Sequence, residues 1–199
     1  EAARLQNGAS DTTAIGAYAL HSLTTGSYNV AVGQAASYGC TTGAYNVAIG
    51  LHALSANSTG AQNCAVGWHA LYQYTGSYNT AVGDRALTVN TAALNTAVGS
   101  LSAYSNTTGS QNTALGQAAL YTNTTGSNNT AVGRYALRLN TTASDNTAVG
   151  KEALHSNTTG GSNTAVGNEC LESNTTGASN TAVGALALDA NTTASANTS

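Results

Sequence analysis

The chain is dominated by one short motif that recurs at an almost constant spacing. It is Thr-Ala-Ile-Gly at 13–16, Val-Ala-Val-Gly at 30–33 and Thr-Ala-Val-Gly in most later copies. There are eleven copies in all, and the last occupies 181–184. Successive motif glycines are 17 residues apart in eight intervals and 16 apart in the two intervals between 67 and 99. A constant period of this length is the sequence signature of a solenoid, in which equivalent units stack in one dimension. We therefore expect a stack of coils rather than a globular domain.

The repeating unit reads Asn-Thr-Ala-Val-Gly-x-x-Ala-Leu-x-x-Asn-Thr-Thr-Gly-Ser-x. It predicts two short extended pieces, Asn-Thr-Ala-Val and the segment around Ala-Leu, joined by the turn-forming residues Asn and Gly. In an extended first piece, Thr and Val share one face, and Asn and Ala share the other. Gly, Thr and Asn in every unit disfavour a helix. The predicted fold is an all-β, parallel β-solenoid (β-roll) of about eleven 17-residue coils.

The core of such a coil is thin, because each unit is expected to bury only about one Val, one Leu and two or three Ala. Apolar burial stabilises by roughly 25 cal/mol per Å², so we expect a second source of burial through association of identical chains. A homotrimer around the long axis is the predicted assembly. We expect a partial coil over 1–11, the tandem solenoid over 12–196 and the start of a further coil over 197–199. The absence of distinct caps suggests a piece of a longer chain or a protomer that stacks end to end.

Composition argues against several functional classes. Charged residues make up 7% of the chain, against about 25% in typical soluble proteins. The net charge of −3 leaves no basic footprint for nucleic acid, and no apolar run reaches the roughly 20 residues of a membrane span. Acidic residues are scattered without a nucleophile or base beside them. We therefore expect no enzyme activity, no cofactor and no metal. The three cysteines, at different positions of the repeat, are interpreted as small apolar filler: Cys40, Cys64 and Cys170.

Two asparagine columns are the strongest polar feature of the sequence. One Asn opens every coil after the first, before the strand motif, and the other opens the Thr-Thr turn. Stacked amides can hydrogen-bond from coil to coil, as in cross-β ladders. The Thr-Thr turns match the N-glycosylation sequon, but a glycan about every 5 Å would be too crowded. We predict a structural ladder of opening asparagines and motif glycines: Asn79, Asn95, Asn112, Asn129, Asn146, Asn163 and Asn180, with Gly83, Gly99, Gly116, Gly133, Gly150, Gly167 and Gly184.

Aromatic residues concentrate at a few positions of the repeat. Polar-edged aromatic rings suit saccharides, which makes the tyrosines after Ala-Leu and the single tryptophan candidate glycan contacts. Packing of stacked rings, or a contact between subunits, is the alternative interpretation. His52 and His69 share one position in adjacent coils, but with Arg85 next in the column they make a poor metal site. The candidate glycan contacts are Tyr38, Tyr72, Tyr104, Tyr121 and Trp68.

Two copies of the motif, Asn-Val-Ala-Val-Gly at 29–33 and Asn-Val-Ala-Ile-Gly at 46–50, carry a family resemblance. They are similar to the Ser-Val-Ala-Ile-Gly coil motif of trimeric autotransporter adhesin heads, the YadA-like left-handed parallel β-roll. The longer unit, with Ala-Leu and Asn-Thr-Thr-Gly-Ser, resembles repeats of phage tail fibres and bacterial surface fibres. The resemblance covers residues 12–199. It implies a trimeric, fibrous protein, extracellular or virion-borne, that works by adhesion.

The sequence thus predicts a structural fibre segment, either a tail fibre or a surface adhesin shaft or head. Such a segment would be stiff and protease-resistant and would present a surface to glycans or another receptor. Its expected partners are copies of itself and cell-surface glycans, without nucleic acid or membrane insertion, at the cell surface, outside the cell or on a virion. Two alternatives remain open: a protomer that polymerises end to end into an extracellular filament, and an ice-binding solenoid with regular Thr rows.

Overall fold

The computed structural model describes residues 8–199, which form one stack of coils with a single parallel sheet and no helix. Each coil contributes one strand of three residues, and the strands follow sequence order across the sheet. The all-β, parallel solenoid with a repeat of about 17 residues is therefore confirmed. The strands are β1 (Thr13–Ile15), β2 (Val30–Val32), β3 (Val47–Ile49), β4 (Cys64–Val66), β5 (Thr80–Val82), β6 (Thr96–Val98), β7 (Thr113–Leu115), β8 (Thr130–Val132), β9 (Thr147–Val149), β10 (Thr164–Val166) and β11 (Thr181–Val183).

Neighbouring strands pair in one register along the whole stack. Ala131 of β8 lies opposite Ala148 of β9, and the two 16-residue coils keep the same alignment across β4, β5 and β6. A slip of one residue would turn the buried side chains of a strand outward. The missing residues are therefore absorbed in the turns. At the two ends, Thr198 forms a bridge with Thr181, whereas most of the partial coil predicted at 1–11 lies outside the described residues.

The interior is narrower than the sequence suggested. In β8 the central Ala131 is fully buried, whereas Thr130 and Val132 are only partly buried. The predicted division of faces is thus present, but the prediction that each coil buries its valine is wrong for this chain. The inward face contains the opening Asn and the strand Ala, and the opposite wall supplies the Ala-Leu pair. Valine lies on the outer surface because Ala and Asn occupy the inward positions of the strand.

The segment around Ala-Leu is not the second strand that we predicted. Tyr135 and Leu137 both have left-handed backbone conformations, with φ of 61° and 49°. The amide of Tyr135 donates to Gln117 in the preceding coil at 3.1 Å, and that of Leu137 donates to Ala153 in the following coil at 3.0 Å. The donor direction thus reverses within the segment, which prevents a regular strand ladder. A left-handed residue costs about 1–2 kcal/mol, and complete burial of the Leu137 side chain offsets that cost.

Candidate functional site

The asparagines that open the Thr-Thr turns form a continuous hydrogen-bonded column inside the C-terminal coils. Asn123 donates through Nδ2 to Oδ1 of Asn106 at 2.7 Å and to the Gly126 carbonyl at 2.9 Å. Its own Oδ1 accepts from Asn140 at 2.8 Å. These side chains have no exposed surface. The sequon asparagines from Asn106 to Asn174 are therefore inaccessible to a glycosylating enzyme once the coils have folded, whereas Asn191 in the last coil is only partly buried.

The asparagines that open the coils form a second buried column. The backbone amide of Asn129 donates to Oδ1 of Asn112 at 2.9 Å, and its Nδ2 donates to the Ala143 carbonyl at 2.9 Å. Oδ1 of Asn129 in turn accepts from the backbone amide of Asn146 at 3.0 Å, so each side chain ties its own turn to the following coil. The predicted ladder asparagines all lie in this column, buried inside the stack: Asn79, Asn95, Asn112, Asn129, Asn146, Asn163 and Asn180.

The motif glycines form the sharp bend that follows each strand. Gly116 has a φ of 138°, and a Cβ at this position would lie 2.5 Å from the carbonyl oxygen of Gly133. The position therefore needs glycine both for its backbone conformation and for the close approach of the next coil. The predicted ladder glycines share a positive φ: Gly83, Gly99, Gly116, Gly133, Gly150, Gly167 and Gly184.

The first of the two shortened coils interrupts the turn column. Tyr74 occupies the place of the turn asparagine, with its ring fully buried and its hydroxyl bonded to Nδ2 of Asn79. Burial raises the pKa of the Tyr74 phenol. One coil later, Asn90 donates to Oδ1 of Asn79 at 3.3 Å and so connects the two columns. The regular turn column begins at Asn90, where Asn106 donates to it at 2.9 Å.

One outer surface is almost identical from coil to coil. We call it the strand face; it consists of the outward side chains at the first and third positions of the eleven strands, such as Thr130 and Val132. Every side chain on it is Thr, Val, Ile, Leu or Cys, so the strand face carries no charge. Cys64 lies on this face, partly exposed, whereas Cys40 and Cys170 are buried in the interior. Cys64 is therefore not simple interior filler.

A second outer surface differs from coil to coil. We call it the variable face; it consists of the first, second and fifth residues after each motif glycine, such as Arg134, Tyr135 and Arg138, and all but Ala35, Thr88 and Ala118 among them are at least partly exposed. These three positions contain all four histidines, the tryptophan and nine of the thirteen charged residues. The nine charged residues are Asp84, Arg85, Arg134, Arg138, Lys151, Glu152, Glu169, Glu172 and Asp189.

The five candidate glycan contacts lie on the variable face, and their rings stack along the rod. Tyr104 and Tyr121 are stacked at 5.4 Å. Tyr38 stacks on His21 at 5.0 Å and Tyr72 on His69 at 4.4 Å. The Trp68 ring contacts both the His69 ring and the Arg85 guanidinium, each 4.5 Å away. Neighbouring side chains thus cover the faces of these rings, which favours the interpretation that the rings pack between coils. Only the ring edges and the tyrosine hydroxyls remain available to a ligand.

The histidine pair also lies on this face. The rings of His52 and His69 are 5.4 Å apart in an edge-on arrangement. Burial lowers the pKa of His69, and the nearby His52 and Arg85 lower it further. Within residues 8–199, no three His, Cys, Asp or Glu side chains come together as a metal-binding group. In the same part of the chain, no helix has the length and apolar character needed to span a bilayer.

Comparison of the chain with protein-family models, curated proteins and solved structures gives no match. The resemblance to adhesin heads and tail fibres therefore depends on the repeat motif alone.

Proposed function

We propose that this chain is a stiff segment of an extracellular, cell-surface or virion-borne fibre, of the tail-fibre or adhesin type. Copies associate side by side through their strand faces, three around the long axis, and the variable face remains outside to contact a receptor or glycan. The observation that carries the proposal is the contrast between the two faces. A surface that meets copies of itself around an axis must be self-complementary, as an uncharged face of small side chains is, whereas a surface that recognises a distinct ligand needs specific polar, charged or aromatic groups.

The chemistry of the strand face supports association. It is uncharged, and each strand leaves an apolar side chain such as Val132 partly exposed. Complete burial of a valine contributes about 1.5 kcal/mol, so covering the exposed part, roughly a third of the side chain, contributes about 0.5 kcal/mol. Summed over the eleven strands, this is about 5 kcal/mol, near the lower end of the range of about 4–15 kcal/mol that association costs in lost freedom. The whole length of the face is therefore needed for a stable assembly.

The stacking of coils supports the mechanical part of the proposal. Parallel hydrogen bonds connect every strand to the next in one unbroken sheet, and the buried amide columns add further bonds between coils. Protease cleavage requires backbone that can leave its surroundings, and here the turns are also bonded to their neighbours. For example, the amide and hydroxyl of Thr124 both donate to the carbonyl of Thr141, at 2.8 and 3.0 Å.

Sedimentation equilibrium of the wild-type chain and two lysine variants tests the proposal. The wild type is expected at three times the chain mass of 19.7 kDa. Val132→Lys places a charge on the strand face and is expected to give monomers. The matched control, Thr142→Lys, places it on the exposed turn of the same coil and should remain trimeric. A monomeric wild type, or equal masses for both variants, would contradict association through the strand face.

Oxidation provides an independent test without a mutation. In a parallel trimer with aligned coils, the three copies of Cys64 lie at the same height near the axis, whereas Cys40 and Cys170 remain enclosed. Mild oxidation is therefore expected to produce covalent dimers through Cys64, and Cys64→Ser should abolish them. Copies that associate without any Cys64 cross-link would argue against the parallel, aligned arrangement.

One observation favours ice binding as a second candidate function. The seven threonines of β5 to β11 on the strand face, such as Thr130, form no side-chain hydrogen bond with other described residues, so their hydroxyls are free for water. Rows of such hydroxyls, repeated at about 4.8 Å from strand to strand, could order water on an uncovered face. A monomer that shapes growing ice crystals would support this function, whereas a trimer without that effect would exclude it.

A further inference from the structure

We propose that Arg134 and Arg138, together with the tyrosines beside them, form a binding site for an acidic saccharide that bears a carboxylate or sulfate group. The inference rests on the receptor-presenting part of the proposed function and specifies its ligand class. Both arginines lie on the variable face of one coil, four residues apart.

The two guanidinium groups are the unpaired cations of this surface. Lys151 lies 3.4 Å from Glu152 and 3.0 Å from Glu169, and Arg85 lies 4.0 Å from Asp84. In the described part of the chain, neither Arg134 nor Arg138 forms an ion pair with a carboxylate. A guanidinium offers several donors in a planar fork that matches a carboxylate or sulfate oxygen pair.

Tyrosine rings hold both arginines in place. The guanidinium carbon of Arg134 is 4.2 Å from the centre of the Tyr135 ring, and Nη2 donates to the Tyr135 hydroxyl at 3.1 Å. The guanidinium of Arg138 lies 5.0 Å from the Tyr135 ring and 5.8 Å from the Tyr121 ring. Stacked cations lose less side-chain freedom when a ligand binds than free ones do. The arrangement therefore holds the two guanidinium groups in position to donate hydrogen bonds to an anion.

One donor of Arg138 has no hydrogen-bond partner in the folded chain. Nε of Arg138 is buried and has no acceptor among the described residues. A buried donor without an acceptor is costly, by about 1–3 kcal/mol. A ligand oxygen satisfies this donor only when the Arg138 side chain rotates to expose Nε, which relieves that cost.

The two sides of the site along the rod differ in charge. On the N-terminal side, residues 86–133 contain no charged side chain, and Tyr104 stacks on Tyr121 toward Arg138. On the C-terminal side, burial and then Arg138 lower the pKa of His155, and the nearby carboxylates of Glu152 and Glu172 raise it by less. These carboxylates would repel an anion. We therefore expect the sugar to extend along Tyr121 and Tyr104, with their hydroxyl edges in contact and its anionic group at the arginines.

Isothermal titration of the full chain with four probes tests the site. The probes are a disaccharide with a uronate carboxylate, one with a sulfate ester, the uncharged disaccharide lactose, and inorganic sulfate. Binding of either acidic disaccharide, with lactose and inorganic sulfate at least about tenfold weaker, supports the inference. The stronger acidic probe identifies the anionic group. Equal binding of lactose, equal binding of inorganic sulfate, or no binding of any probe overturns it.

Variants assign the binding to the two arginines. Arg134→Gln with Arg138→Gln should weaken the acidic probe about tenfold or more, whereas the control Arg85→Gln, on the same face but beside Asp84, should leave it unchanged. Undiminished binding in the double variant overturns the inference. Sedimentation of the same samples separates the two proposals: trimers that bind no probe contradict only the saccharide site, and monomers that bind it contradict only the strand-face assembly.

Discussion

Replacing one buried ladder amide by a carboxyl tests what holds successive coils together. Asn123→Asp keeps the size of the side chain but removes both hydrogen bonds that Nδ2 donates, to Asn106 Oδ1 at 2.7 Å and to the Gly126 carbonyl at 2.9 Å. An ionised carboxylate would instead face these two oxygen acceptors, in a position with no exposed surface. An uncompensated charge in a buried site destabilises by about 3–5 kcal/mol, and this is the loss that we expect at neutral pH.

The loss should depend on pH in a defined direction. Burial disfavours the charged form, so the introduced carboxyl has a folded pKa above its unfolded value of about 3.9. The folded state therefore retains its stability below the unfolded pKa, where the neutral carboxyl can still donate one hydrogen bond, and loses it as the pH rises through the folded pKa. Near pH 3.5 we expect the deficit relative to wild type to shrink to about 1–2 kcal/mol.

Chemical denaturation at neutral pH and near pH 3.5, with wild type measured in parallel, provides the assay. Asn168→Asp is the matched control because Asn168 is exposed on the variable face, and its effect should stay within about 0.5 kcal/mol. If Asn123→Asp is as stable as Asn168→Asp at neutral pH, the ladder amides contribute nothing specific. If its deficit does not shrink in acid, the cause is not the buried charge.

Two further predictions concern the bend and the histidine column. Gly116→Ala should destabilise the rod by about 3 kcal/mol or more, because its φ is 138° and the new Cβ would lie 2.5 Å from a carbonyl oxygen. Gly161→Ala is the control and should be close to neutral in thermal unfolding, because Gly161 has no positive φ and other coils carry Ser or Ala there; equal losses would contradict the proposed role of the bend. His69 has a pKa below its ordinary 6.5, so the unfolded chain takes up that proton first and stability should decline as the pH falls through and below 6.5. His69→Gln should reduce this decline, and an NMR titration that places the His69 pKa above 6.5 would refute it.

Much of the architecture followed from the sequence alone. The constant interval between motif glycines required equivalent coils, and strand alternation predicted that Thr and Val would share one side, with Asn and Ala on the other. Both results depend on local chain geometry, which a repeat imposes on each unit independently. The strand ladder through residues such as Ala131 and Ala148 is the direct outcome.

Other features were decided by tertiary structure. The left-handed conformation of Leu137 could not be predicted, because it is intrinsically unfavourable for leucine and depends on burial and on bonds to two different coils. The burial of Val132 depended on the width of the interior of the coil. Neither the composition nor the period of the repeat specifies that width. The unpaired state of Arg134 and Arg138 required knowing which carboxylates lie near them in space. The period specifies the residues that every coil shares, whereas a binding site depends on residues that differ between neighbouring coils. Only the folded stack brings those differing residues into contact.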